Sequence, residues 1–144
     1  MSSKRLVRNE RGAALIETAI TIPIVLLICV GIFEFGRAYQ TQQVLTNACR
    51  EGARAAVIVS NTDDQVVAIV RNYMTNGRLT NASTAAISVN RAVPFGSNTA
   101  STITIAYPFD FIVLNPVARL VVSNTNTGRT QLTMQAVATM RNES

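Results

Sequence analysis

The chain has 144 residues, 48% of them apolar and only 15% charged, with neither His nor Trp; this suits one small domain with an anchor. Disordered chains are not this apolar, and without imidazole there is no Ser/His or Cys/His catalytic pair and no His metal ligand. The net charge of +5 does not mark a nucleic-acid binder: Lys4, Arg5, Arg8 and Arg11 stand against Glu10 at the N-terminus, and the arginines from Arg37 to Arg141 neither cluster nor interleave with aromatics.

From Ala13 to Phe35 only Glu17 and Glu34 are charged, and Thr18 to Phe33 is uncharged. As a helix, residues 13–35 would extend about 35 Å, enough to cross a hydrocarbon core of about 30 Å. A buried soluble helix is the alternative, but this one is apolar all round on a small chain. A cleavable secretory signal is the other; its apolar core is usually about 7–15 residues and ends in an A-x-A-like site, which Gly36-Arg37-Ala38-Tyr39 does not match. The basic residues before the span predict a cytoplasmic N-terminus and an external C-terminus. Pro23 predicts a kink, with the freed carbonyl taken up by Thr21 or a neighbouring helix.

Glu17 is unusual in such a segment. It can snorkel to the headgroups, or it can pair. Cleavage after Gly12 would give Ala13 a free α-ammonium, and Glu17, four residues on, shares its helix face. Pairing within the chain or with a neighbouring subunit lowers the cost of a carboxylate in lipid.

This leader resembles that of type IV prepilins, in which an aspartyl peptidase cuts after Gly and Glu sits at mature position five. The resemblance narrows to the TadE-like family on Gly12-Ala-Ala-Leu-Ile-Glu17, Pro23, Glu34-Phe35-Gly36-Arg37 and Asn47-Ala48-Cys49-Arg50-Glu51-Gly52-Ala53-Arg54. It is strong over residues 10–56 and weaker at Thr104–Phe109 and Ala138–Arg141. Cys49 stands where that family usually has a small residue. The resemblance implies a minor pilin-like (pseudopilin) subunit of a Tad tight-adherence pilus, processed between Gly12 and Ala13, with Glu17 serving assembly. The implied partners are a prepilin peptidase, other minor pilins, the major pilin, an inner-membrane assembly platform and membrane lipid. The implied location is the bacterial inner membrane, single pass, with incorporation into the extracellular pilus on assembly.

After the span the helical pattern continues as a stem over 36–60. Ala38, Leu45, Gly52 and Val59, with Ala48 and Ala55, form a small-residue stripe, while Gln40, Gln42, Gln43, Arg50 and Arg54 face water or partners. The stripe is either packed on the chain's own C-terminal domain or is a helix–helix assembly surface. Asn61-Thr62-Asp63-Asp64 ends this helix and caps a second, which presents Val66, Val67, Val70, Tyr73 and Met74 on one face and stops at Gly77. Capping and the helix dipole account for Asp63 and Asp64 without a metal.

Alternating patterns at Ile87–Arg91, Thr102–Tyr107 and Leu132–Met140 predict strands with one wet face. Phe111–Val122 is more continuously apolar and reads as a strand, an amphipathic helix or a contact surface; Asn124–Gly128 reads as a turn. Cys29 and Cys49, on one continuous helix, stand about 30 Å apart, which excludes an internal disulfide. Cys49 is either a packed thiol or, outside the membrane, one half of an intermolecular bridge.

The expected fold is α+β: a long N-terminal transmembrane and stem helix, a second helix and a small antiparallel C-terminal sheet, pilin-like. The organisation is a leader (1–12), a span (13–35), a stem (36–60) and an extracytoplasmic domain (61–144). Glu51, Asp110 and the many hydroxyls form no catalytic constellation, so no catalytic residue, cofactor or metal is expected. The competing functional class is an uncleaved single-pass surface protein that binds a ligand or acts as an adaptor.

Overall fold

A computed structural model describes residues 10–96, 98–113, 115 and 131–142. Most of the expected leader, most of the apolar segment after Val113 and the turn expected at Asn124–Gly128 lie outside the described residues.

Helix α1 runs from Glu10 to Val57 without interruption. Its 48 residues extend about 72 Å. The helix continues through Pro23, whose ring removes the hydrogen bond to the Ala19 carbonyl. Thr21 does not fill that vacancy: its hydroxyl donates to the Glu17 carbonyl at 2.7 Å, as Thr18 donates to Ala14 at 2.8 Å. Both hydroxyls are therefore satisfied within the helix, which is what a hydrocarbon environment requires.

Arg91, reaching over from the sheet, covers the C-terminal end of α1. Its Nη1 donates to the Ala56 carbonyl and its Nη2 to the Asn61 carbonyl, each at 2.8 Å, while Nε pairs with Asp63 at 2.7 Å. A cation at a helix C-terminus complements the helix dipole and satisfies carbonyls that have no intrahelical partner.

Helix α2 (Asp63–Asn76) opens with a capping box. The Thr62 hydroxyl accepts from Gln65 N–H, and the Gln65 side chain accepts from Thr62 N–H at 2.9 Å. Val66, Val70 and Met74 are buried, whereas Tyr73, expected on the same face, stays exposed. The helix ends at Asn76 with Gly77 as its cap, as expected, but the left-handed conformation comes one residue later. Arg78, at φ 60°, takes the left-handed position, with Arg78 N–H donating to Thr75 and Leu79 N–H to Met74. Gly77 keeps a negative φ, and its smallness has a different reason: a Cβ there would lie 2.5 Å from Val44 Cγ1.

Three antiparallel strands follow: β1 (Ala86–Phe95), β2 (Asn98–Asp110) and β3 (Gln131–Arg141), in the order β1-β2-β3. Along β2 the inward residues Ile103, Ile105, Tyr107 and Phe109 are buried and alternate with half-exposed neighbours, as the period of two predicts. A bulge in β1 between Asn90 and Val93 adds one residue against β2.

The core joins the upper half of α1, α2 and one face of the sheet. Leu45, Ala48, Cys49, Ala53 and Ala56 meet Val66, Val70 and Met74 from α2 and Ile103, Ile105 and Phe109 from β2. The small-residue stripe is therefore used inside the chain: Leu45, Ala48, Gly52 and Ala55 are buried and Ala38 packs against the cluster. Val59 does not belong to it; the helix has ended, and Val59 is exposed. Gly52 allows the closest approach, since a Cβ there would lie 2.5 Å from Val70 Cγ2 and 3.5 Å from Ile103. Small residues on α1 thus set the helix–helix and helix–sheet spacing.

Cys29 and Cys49 are both free, Cys29 exposed and Cys49 buried. Cys49 is a packed thiol, its Sγ donating to the Ala136 carbonyl at 3.2 Å. Burial pushes this thiol up from the usual 9 to about 11, outweighing a backbone hydrogen bond that acts the other way. The folded chain then keeps a proton that the unfolded chain releases. The thiol's contribution to stability is complete below about pH 9 and is lost as pH rises to about 11. The expected loss is on the order of 2 kcal/mol. Denaturation midpoints across that window should fall more steeply for the wild-type chain than for Cys49→Ala; parallel curves would contradict it.

Candidate functional site

The lower half of α1 packs against nothing among the described residues. Leu15, Ile16, Ile20, Ile24, Leu27, Ile28 and Ile32 are all exposed, and none of the most apolar stretch is buried. By length and composition the segment can cross a membrane. A soluble core helix would have its apolar side chains covered; this one has them bare around the circumference.

The three residues singled out from the sequence lie at the start of this bare segment. Gly12 is half-buried, Ala13 and Glu17 are exposed, and all three are helical. Ala13 and Glu17 are one turn apart, as their spacing requires. Among the described residues the Glu17 carboxylate meets no cation, while its backbone carbonyl accepts from Thr21. Gly12 and Ala13 bring no other side-chain chemistry with them.

A second cluster sits where the bare segment meets the domain, and here tertiary structure adds what spacing did not reveal. Glu34 is 1% exposed, a buried carboxylate at the end of an apolar run. Its Oε2 accepts from Arg37, at 3.0 Å from Nη2 and 3.3 Å from Nε. Its Oε1 accepts from the Val113 N–H at 2.6 Å. Arg37 also donates to the Asp110 carbonyl, and its guanidinium lies 4.5 Å from the centroid of the Phe109 ring. Phe111 packs edge-on against Phe109, centroids 5.3 Å apart.

Asn81 fastens the other side of this corner. Its Nδ2 donates to the Pro108 carbonyl at 2.9 Å and to Asp110 Oδ2 at 3.2 Å, and its N–H donates to the Tyr107 hydroxyl at 3.2 Å. The Glu34–Arg37 pair thereby clamps the chain leaving β2 onto α1. The i,i+3 spacing of Glu34 and Arg37 signals a pair in sequence; its burial and its hold on Val113 do not show there, because Val113 is 79 residues away.

Among the described residues no group of three or more His, Cys, Asp or Glu side chains could hold a metal ion. Asp63 is engaged by Arg91 and stands with Asp64 in the first turn of α2. Glu51 is exposed, and Asp110 is tied to Asn81.

Comparison with known proteins returns one family. The model described as TadE-like protein matches residues 12–54, which contain Gly12–Glu17, the bare segment, the Glu34–Arg37 pair and Gly52. The resemblance read from Gly12–Glu17, Glu34–Arg37 and Asn47–Arg54 is thus matched by that family's model, and the family is associated with the Tad pilus. The match covers the helix and not the sheet. No curated protein and no solved structure matches the chain.

Proposed function

We propose, from the TadE-like match over residues 12–54, that this chain is a minor pilin-like subunit that spans the inner membrane once and is processed between Gly12 and Ala13. The observation that carries the reading is the juxtaposition on α1 of a bare apolar segment with Gly12, Ala13 and Glu17 at its start. Residues 1–12 act as the leader, 13–35 as the span and 36–60 as the stem of an extracytoplasmic domain made by the remainder. Lys4, Arg5, Arg8 and Arg11 keep the N-terminus in the cytoplasm.

Processing exposes the Ala13 α-ammonium within reach of a carboxylate one turn on, in the same chain or in a neighbour. That contact orients the helix for packing among other pilin helices. The prepilin peptidase, other pilins and an inner-membrane assembly platform are the partners, and adhesion through the pilus is the outcome.

The test is N-terminal sequencing of the protein expressed with its cognate peptidase. A mature chain starting at Ala13 is the expected result. A chain that keeps its N-terminal residues beside an active peptidase would favour the competing reading, an uncleaved surface adaptor.

A further inference from the structure

We infer that the base of the sheet rests on the outer leaflet of the bilayer, with Ile112 and Leu132 inserted at the boundary between headgroups and acyl chains. The inference rests on the reading of residues 13–35 as a span.

Three observations carry it. The first is level. Counting up from Ala13, about 30 Å of hydrocarbon is crossed in about 20 residues, which brings the outer boundary to Phe33. Glu34 follows directly, and through Val113 N–H it fastens the chain after β2 to α1 at that height. Ile112, next in sequence to that contact, is 58% exposed. Leu132, 48% exposed, pairs across the sheet with Phe109, so it stands at the same end of the sheet.

The second observation is the aromatic content at this height. On α1 itself Phe33, Phe35 and Tyr39 are exposed within two turns of the boundary. Aromatic side chains, Tyr especially, belong at membrane–water interfaces. The third is polar satisfaction. The Val113 N–H is taken by Glu34 and the Asp110 carbonyl by Arg37, so the backbone beside Ile112 approaches lipid with two of its polar groups already paired. Arg37, whose side chain is 27% exposed, holds its remaining cationic surface at the height of the lipid phosphates. While the span lies in lipid, before it packs among other helices, the surface that meets this end of the sheet is that of the bilayer, and that is the occupant.

The chain has no Trp, so a single indole reports without background. Full-length Ile112→Trp, Leu132→Trp, Ile24→Trp and Val59→Trp variants would each be placed in vesicles of phosphatidylethanolamine and phosphatidylglycerol at low protein-to-lipid ratio. The lipids would carry a nitroxide quencher either near the headgroup or deep in the acyl chain. The indoles of Ile112→Trp and Leu132→Trp should emit at shorter wavelength and lose most of their emission to the shallow quencher. That of Ile24→Trp should yield to the deep quencher, and that of Val59→Trp, beyond the far end of α1, to neither. Loss at Ile24→Trp with none at Ile112→Trp and Leu132→Trp would overturn the inference while leaving the span intact; a short-wavelength but unquenched emission would mean that protein covers the site. No loss at Ile24→Trp would overturn the span and the inference together.

Discussion

Glu34→Ala should weaken the domain that α2 and the sheet build on α1 by about 2–4 kcal/mol, because breaking a buried ion pair leaves a cation without its counter-charge and a hydrogen-bond donor without its acceptor. The donor is the Val113 N–H and the cation is Arg37. The loss stays below the upper end for buried pairs because Arg37 keeps the Asp110 carbonyl, the Phe109 ring and some contact with solvent. A convenient readout is Cys49, which is fully buried and should react with an alkylating reagent only when the domain opens. In a Cys29→Ala background the denaturant concentration that exposes Cys49 should drop for Glu34→Ala. Glu34→Gln, which keeps an acceptor for Val113, should lose less. An unchanged midpoint for Glu34→Ala would mean that the clamp contributes nothing to stability.

Glu17→Ala should separate membrane insertion from assembly. An ionised carboxylate near the end of a span costs on the order of a few kcal/mol unless it is paired, so its removal makes insertion easier. On the proposed function the same change removes the partner of the Ala13 ammonium. The variant should be inserted and cleaved, yet co-purify poorly with other pilins and yield few pili. On the adaptor reading the substitution is neutral or mildly favourable. Normal piliation by Glu17→Ala would sink the assembly role and leave a snorkelling charge. Precursor that accumulates uncleaved would place Glu17 in peptidase recognition instead.

Glu17 and Glu34 differ in how far sequence alone explains them. The role proposed for Glu17 rests on local features alone: a small residue at Gly12, basic residues before it, and a spacing of four that one helical turn converts into a shared face. The span is legible for the same reason, since length and apolarity are sums over neighbours in sequence. Two helices, a cap within Asn61–Asp64 and three alternating strands follow from local pattern as well.

The long-range pairings do not follow. The stripe of Leu45, Ala48, Gly52 and Ala55 fits a partner chain and the chain's own domain equally well, because small residues permit close approach without specifying to what. Only the fold decides that α2 and the sheet fill that face, with Val70 against Gly52 and Ile103 beside it. Gly77 marked the end of α2, but the left-handed position falls to Arg78, and the close contact with Val44 that requires Gly77 to be small exists only in the packed fold. Glu34 is the clearest case. Sequence marked it as a charge at the edge of the membrane, and tertiary structure buried it by bringing Arg37, Val113 and the end of β2 to one corner. Sequence therefore determined what this chain can cross and how each segment coils, since those energies are summed along the chain. Tertiary structure decided which charge is buried and which face is covered, since those energies belong to pairs of residues that meet only once it has folded.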